Sequence, residues 1–198
     1  MKIIILVLGA ILLVGCSPSF KIEQIDNRFS ENKNSVYSSS GNKISDKCVG
    51  GGTCVADYGI FIDPFVENNA VNNETVLLGF HIMNRTPHTS MFGGINELGQ
   101  IREVVFRLPD GKVINLKATN QENNSGVISY NKIGNYASYL QVETGMMEIP
   151  KDSFKKLVSA QHLSCKITGS SNSVIYEEDQ IEPAFLVNLR QFYGAYVK

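Results

Sequence analysis

The sequence predicts a mainly β, α+β domain: an antiparallel β-sandwich or curled sheet carrying two helices, the C-terminal one packed on the sheet. Three observations lead there. Roughly seven or eight segments alternate apolar and polar residues at the period of two that belongs to strands. Pro109-Asp110-Gly111 sits between two of them with the chemistry of a hairpin turn. Two further segments, at 150–160 and 183–197, switch to the three- and four-residue spacing of amphipathic helices.

The chain opens on a different kind of segment. Lys2 precedes the uncharged run Ile3 to Val14, too short to cross a bilayer as a helix but of the length of a signal-peptide core. Leu13-Val14-Gly15-Cys16 closes the run. This pattern resembles the lipobox of bacterial lipoproteins. The resemblance implies that residues 1–15 are a signal peptide, that the Cys16 thiol carries a diacylglycerol (palmitate label is the assay), and that the amino group freed by cleavage is acylated. The competing readings are an ordinary secretory cleavage site and an uncleaved anchor. Two or three acyl chains on one residue hold a protein stably to a membrane, whereas one holds it marginally. Ser17 lacks the aspartate that resembles an inner-membrane retention signal in enteric bacteria. The expected location is therefore the cell envelope, at the outer membrane facing the periplasm or the surface where the cell has two membranes.

Residues 16–46 are rich in Ser, Asn and Lys, as in Asn32-Lys33-Asn34-Ser35 and Ser38-Ser39-Ser40-Gly41-Asn42. Such composition buries little apolar surface and predicts a flexible tether, with Ile22, Ile25 and Phe29 at a helical spacing that would let them dock. Residues 47–198 form the expected single globular domain. Loss of residues 1–15 removes Lys2 alone among the charged residues, so 18 basic against 19 acidic side chains becomes 17 against 19. That balance offers no basic stripe for nucleic acid and no polybasic patch for anionic lipid.

Within the domain, Tyr58 to Val66 reads as extended, with Pro64 marking an edge or an irregularity. Thr75 to Met83 alternates with Val76, Leu78, Phe80 and Ile82 on one face and a fairly apolar second face, as in a central strand. Ile101–Leu108 and Lys112–Ala118 flank the hairpin turn. Strands follow near Gly126–Lys132 and Tyr139–Glu143, with Gly145 at a turn before Met146–Ile149. Leu163–Thr168 and Val174–Glu177 make a second hairpin around Gly169-Ser170-Ser171-Asn172. The first helix presents Phe154, Leu157 and Val158; the second presents Phe185, Leu186, Leu189, Phe192, Tyr193 and Tyr196, with Pro183 in its first turn.

Three cysteines remain after Cys16. An exported compartment permits a disulfide, and the flexible Val-Gly-Gly-Gly-Thr between Cys48 and Cys54 makes these the expected pair, with Cys165 a buried strand residue. Zinc competes poorly because no C-x-x-C or neighbouring histidine completes a tetrahedral set. No metal and no cofactor is expected. Nucleotide-binding glycine loops, a nucleophile elbow and H-E-x-x-H are absent from the sequence.

Binding candidates come from composition. The loop expected over 84–98 mixes Arg85, His88, Met91 and Phe92, residue types suited to an interface, although the two apolar residues would equally fold onto the core. Tyr130, Tyr136 and Tyr139 cluster among Asn, Lys, Gly and Ser, like an adaptable recognition surface, or simply as good strand residues. The leading expectation is a lipid-anchored, non-catalytic binding or inhibitory module for a macromolecular partner in the envelope. The rival is an envelope hydrolase or metal-dependent enzyme in which His81 and His88 meet near the 84–98 loop.

Overall fold

The computed structural model describes residues 20–26, 34–54, 57–89, 97–119, 126–133 and 136–198; the side chains of 88, 89 and 126–139 lie outside the description. Two antiparallel sheets pack face to face, with two helices completing the core. The larger sheet contains β1 (Lys21–Ile25), β2 (Ser35–Ser40), β3 (Gly59–Asn68), β4 (Thr75–Thr89), β7 (Gly126–Ile133) and β8 (Tyr136–Glu148) in the order β1-β2-β3-β4-β8-β7. The smaller contains β5 (Ile101–Arg107), β6 (Val113–Lys117), β9 (Ser164–Gly169) and β10 (Ser173–Tyr176) in the order β10-β9-β5-β6. Helix α1 spans Lys151–Ser159 and α2 spans Pro183–Tyr196.

Phe80 is the meeting point of the layers. It projects from β4 with no exposure, its ring centroid 6.1 Å from Phe106 of the small sheet and 5.3 Å from Phe154 of α1. Phe154 in turn meets Tyr193 of α2 edge-on at 5.6 Å, so one aromatic chain joins both sheets and both helices. Around it lie Ile60, Ile62, Leu78 and Ile82 from the large sheet and Val104, Ile114, Cys165 and Ile167 from the small one. Arg190 of α2 donates to the carbonyls of Val158 (2.8 Å) and Ala160 (2.5 Å), satisfying the orphan end of α1.

The turn at 108–111 forms as its residues require. Gly111 takes φ +81° and its amide donates to the Leu108 carbonyl at 2.9 Å. The hairpin of β9 and β10 and both helices also fall where periodicity places them. Cys48 and Cys54 are joined, and the sharp loop between them uses Gly51 and Gly52 at φ +89° and +78°. Cys165 is buried, and desolvation pushes its thiol far above the usual range.

Four expectations are corrected. Residues 35–46 do not behave as a tether: β1 and β2 extend the large sheet, and Ser39, Asn42, Lys43, Ile44 and Ser45 are all buried. Ile22 and Ile25 lie on a strand and not on a helical turn. Gly145 marks no turn, because β8 runs through it opposite Ile82. A Cβ at 145 would lie 3.1 Å from the Ile101 Cβ, so the glycine is there to let β5 of the other sheet come close. Finally, 84–89 is strand and not loop, since β4 pairs with β8 out to Thr89↔Ser138.

One buried carboxylate orders the far side of that region. Glu143 on β8, 5 % exposed, accepts from Asn84 Nδ2 (2.8 Å) and from the amides of Leu98 (2.9 Å) and Gly99 (2.6 Å). It thereby ties β4 and β8 to the lead-in of β5.

Phe192 is fully buried on α2. Phe192→Ala is expected to destabilise the domain by about 3–5 kcal/mol, seen as a lower urea midpoint. An unchanged midpoint would place α2 outside the cooperative core.

Candidate functional site

The outer face of the large sheet carries a depression of about 320 Å³ whose walls include Lys21, Ser40, Phe61, Asp63, Met83 and Arg85. Its origin is local. Pro64 has no amide hydrogen, and β2 stops pairing with β3 at Ser38↔Phe65, immediately before it. The Ser39 hydroxyl takes over, donating to the Pro64 carbonyl at 2.9 Å. Beyond this break the chain rejoins β3 through Asn42, whose side-chain amide donates to the Ile62 carbonyl (3.0 Å), and through the Ile44 amide on the Ile60 carbonyl (3.0 Å).

Asp63 stands in the gap so created. It is 5 % exposed, and its Oδ1 accepts the Asn42 amide at 2.7 Å. Burial pushes its carboxyl up to about 6, against the opposing pull of the Asn42 and Gly41 amides and of the Arg85 charge. Arg85 lies over the Phe61 ring, 5.4 Å from guanidinium carbon to centroid, and its Nε donates to Met83 Sδ at 2.9 Å. Its two terminal nitrogens have no hydrogen-bond partner among the described residues, and Lys21 is exposed at the rim. The arrangement offers two cations beside an aromatic and a thioether wall, with one carboxylate recessed behind them. Its chemistry suits an anionic group.

The sequence candidates distribute unevenly. Arg85 belongs to this depression, from a strand and not from a loop. His88, Tyr139 and Tyr130 occupy directly paired positions on β4, β8 and β7, so register gathers three candidates into one row; Tyr136 pairs with Ile133 at the hairpin end. Met91, Phe92 and Cys16 lie outside the described residues. Lys21 and Asp63 were not singled out by sequence, although an aspartate inside Ile60-Phe61-Ile62-Asp63-Pro64-Phe65-Val66 is the signal that points to one of them.

The rival metal arrangement loses its premise. His81 and His88 are seven residues apart on one continuous strand, about 23 Å at the usual rise. His81 instead lies against the Phe65 ring at 4.6 Å, and desolvation lowers its pKa and favours the neutral imidazole. Among the described residues no three His, Cys, Asp or Glu side chains converge as a metal site would require. The acids at 177–179 have a structural use, since Glu177 and Gln180 bond reciprocally around the 3-10 turn Glu178–Gln180.

A second depression, about 380 Å³, lies between the β5–β6 turn and the end of α1, with Leu108, Pro109, Lys112, Lys156, Ala160 and His162 in its walls. His162 Nδ1 lies 2.9 Å from Glu178 Oε2 on its far side. Both side chains are exposed, unlike the buried carboxylate of Asp63. Comparison with family models, with characterised proteins and with solved structures finds no match to this chain.

The raised Asp63 value makes a signed prediction. The folded carboxyl holds its proton above the unfolded value near 4, so its contribution is most favourable below that pH and is lost as the pH rises to about 6. The swing is about 3 kcal/mol. Asp63→Asn, which keeps an oxygen for the Asn42 amide, is expected to flatten this part of the pH dependence in urea unfolding measured from pH 4 to pH 7. Parallel wild-type and variant profiles would contradict it.

Proposed function

We propose that this chain is a lipid-anchored protein of the bacterial cell envelope whose β-sandwich binds a macromolecular partner and carries out no reaction. Leu13-Val14-Gly15-Cys16 supports the anchor, with the outer membrane as its place where the cell has two. No helix among the described residues is long and apolar enough to cross a membrane, which is compatible with attachment through lipid.

The observation that carries the binding reading is the Lys21–Arg85 depression. Arg85 is held by the Phe61 ring and by Met83 while its terminal nitrogens have no hydrogen-bond partner among the described residues, so a partner's carboxylate or phosphate meets a pre-oriented fork at little entropic cost. Arginine held against an aromatic ring is a residue type enriched among those that dominate binding energy. The partner is a protein of the envelope that presents an anionic group, and binding occludes it in the manner of an assembly factor or inhibitor.

Two substitutions separate the halves of this reading. Cys16→Ala should abolish palmitate labelling and leave the membrane fraction or accumulate as precursor; label that survives the change would sink the anchor. Arg85→Ala should stay membrane-bound with an unchanged melting temperature, yet lose the protein that co-purifies with the wild type from solubilised membranes. Equal recovery by both proteins would remove Arg85 from the interface.

A further inference from the structure

We infer that Asp63 couples a proton to the ligand: the Lys21–Arg85 depression takes up its partner's anionic group together with one proton, held on the Asp63 carboxyl. This rests on the anion-binding reading proposed above and supplies its regulation.

A carboxyl is an unexpected wall for an anion site, and the strands put it there. Lys21 pairs with Ser40 and Ser38 with Phe65, so the register, if continued, would set Ser40 beside Asp63. β2 leaves β3 before that position, and Asp63 comes to line one depression with Lys21 and Ser40. Arg85 approaches from the other side. It pairs with Gly59, yet its Nε reaches back to Met83 and its guanidinium lies over Phe61. Met83 and Phe61 pair with each other one pleat from the Asp63–His81 pair, about 7 Å along the strand. The guanidinium fork and the carboxyl therefore act on one small volume.

An ionised Asp63 opposes any anion placed in that volume. It is 5 % exposed, so little water screens it, and among the described residues it forms no ion pair. A neutral Asp63 removes the repulsion. It still accepts the Asn42 amide on Oδ1 and gains an O–H able to donate to the ligand. Its surroundings already lean that way, because burial raises the carboxyl to about 6 against the pull of the Asn42 and Gly41 amides and of the Arg85 charge. An anion beside Arg85 offsets that last pull and raises the carboxyl further. Binding then draws in a proton near pH 6, and the hold on the anion weakens as the pH rises through that value.

The other charged groups of this face are Lys21 and Glu23 on β1, His81 and Arg85 on β4, and Lys43, which bridges to Phe61 and meets Asp46 Oδ1 at 2.7 Å. Of these only the His81 imidazole titrates in the same range. Desolvation lowers its pKa, so its own charging falls on the acid side of its ordinary value. The two groups are separable by substitution.

Sulfate, which stays fully ionised between pH 5 and pH 7.5, is the probe. The protein, purified in non-ionic detergent, is titrated with sodium sulfate at constant ionic strength at both pH values, following the Arg85 Nε magnetic resonance signal, identified by its loss in Arg85→Ala. The wild type should bind about tenfold more tightly at pH 5, the equivalent of a one-unit shift of Asp63 on binding. Asp63→Asn should bind at pH 7.5 as tightly as the wild type does at pH 5, whereas His81→Gln should keep the wild-type dependence. Equal wild-type affinities at the two pH values, a dependence that survives in Asp63→Asn, or one that vanishes in His81→Gln overturns the coupling and leaves the anion site standing. Absence of any Arg85 response to sulfate refutes the anion site, and the coupling with it. Should Asp63→Asn fail to fold, unbuffered His81→Gln protein at pH 6.5 decides: added sulfate should raise the pH as a proton is taken up, and an unchanged pH overturns the proposal.

Discussion

Pro64 imposes the constraint on which the candidate site depends. A proline inside a central strand leaves one ladder position without a donor, and its carbonyl, which takes the Ser39 hydroxyl, shows that the missing hydrogen is on the β2 side. β2 therefore separates from β3 and the chain rejoins two residues further along through Asn42 and Ile44. That detour buries Ile44, whose carbonyl accepts the Glu182 amide at 2.9 Å at the start of α2. It also leaves the recess that Asp63 occupies and Arg85 overlooks. One absent amide hydrogen thus shapes the outer depression and the seating of the C-terminal helix together.

The elements legible in the sequence are those whose cause is local. A Pro-Asp-Gly turn, a glycine-rich cystine loop and two helical stripes depend on residues adjacent in the chain, and each forms where its residues predict. The serine-rich segment before Asp46 failed as a tether because several of its polar groups are satisfied by partners distant in the chain. Ser39 bonds Pro64, Asn42 bonds Asp63, and Asn188 of α2 donates to Asn42 at 3.0 Å. Composition prices those groups as if they stayed in water. Gly145 misled in the opposite direction: a glycine reads as a bend, whereas here it makes room for Ile101.

The site was legible in part for the same reason. Arg85 and His88 stood out by residue type, but their neighbours belong to other strands. Lys21 lies 64 positions before Arg85 in the chain and reaches it only through three successive strand pairings. The row of His88, Tyr139 and Tyr130 likewise exists only once β4, β8 and β7 are in register. Asp63 carried a further signal that needed no tertiary knowledge, a charge inside an apolar run.

Glu143 gives the molecule a form of insulation. By holding the Leu98 and Gly99 amides directly, it sets the starting point of β5 from the β8 side, independently of the chain between Thr89 and Glu97. Strand register in the small sheet is thereby decoupled from whatever length or composition that stretch adopts. A register fixed by one carboxylate in this way depends on two amides and one side chain, and not on the covalent path that joins the strands they belong to.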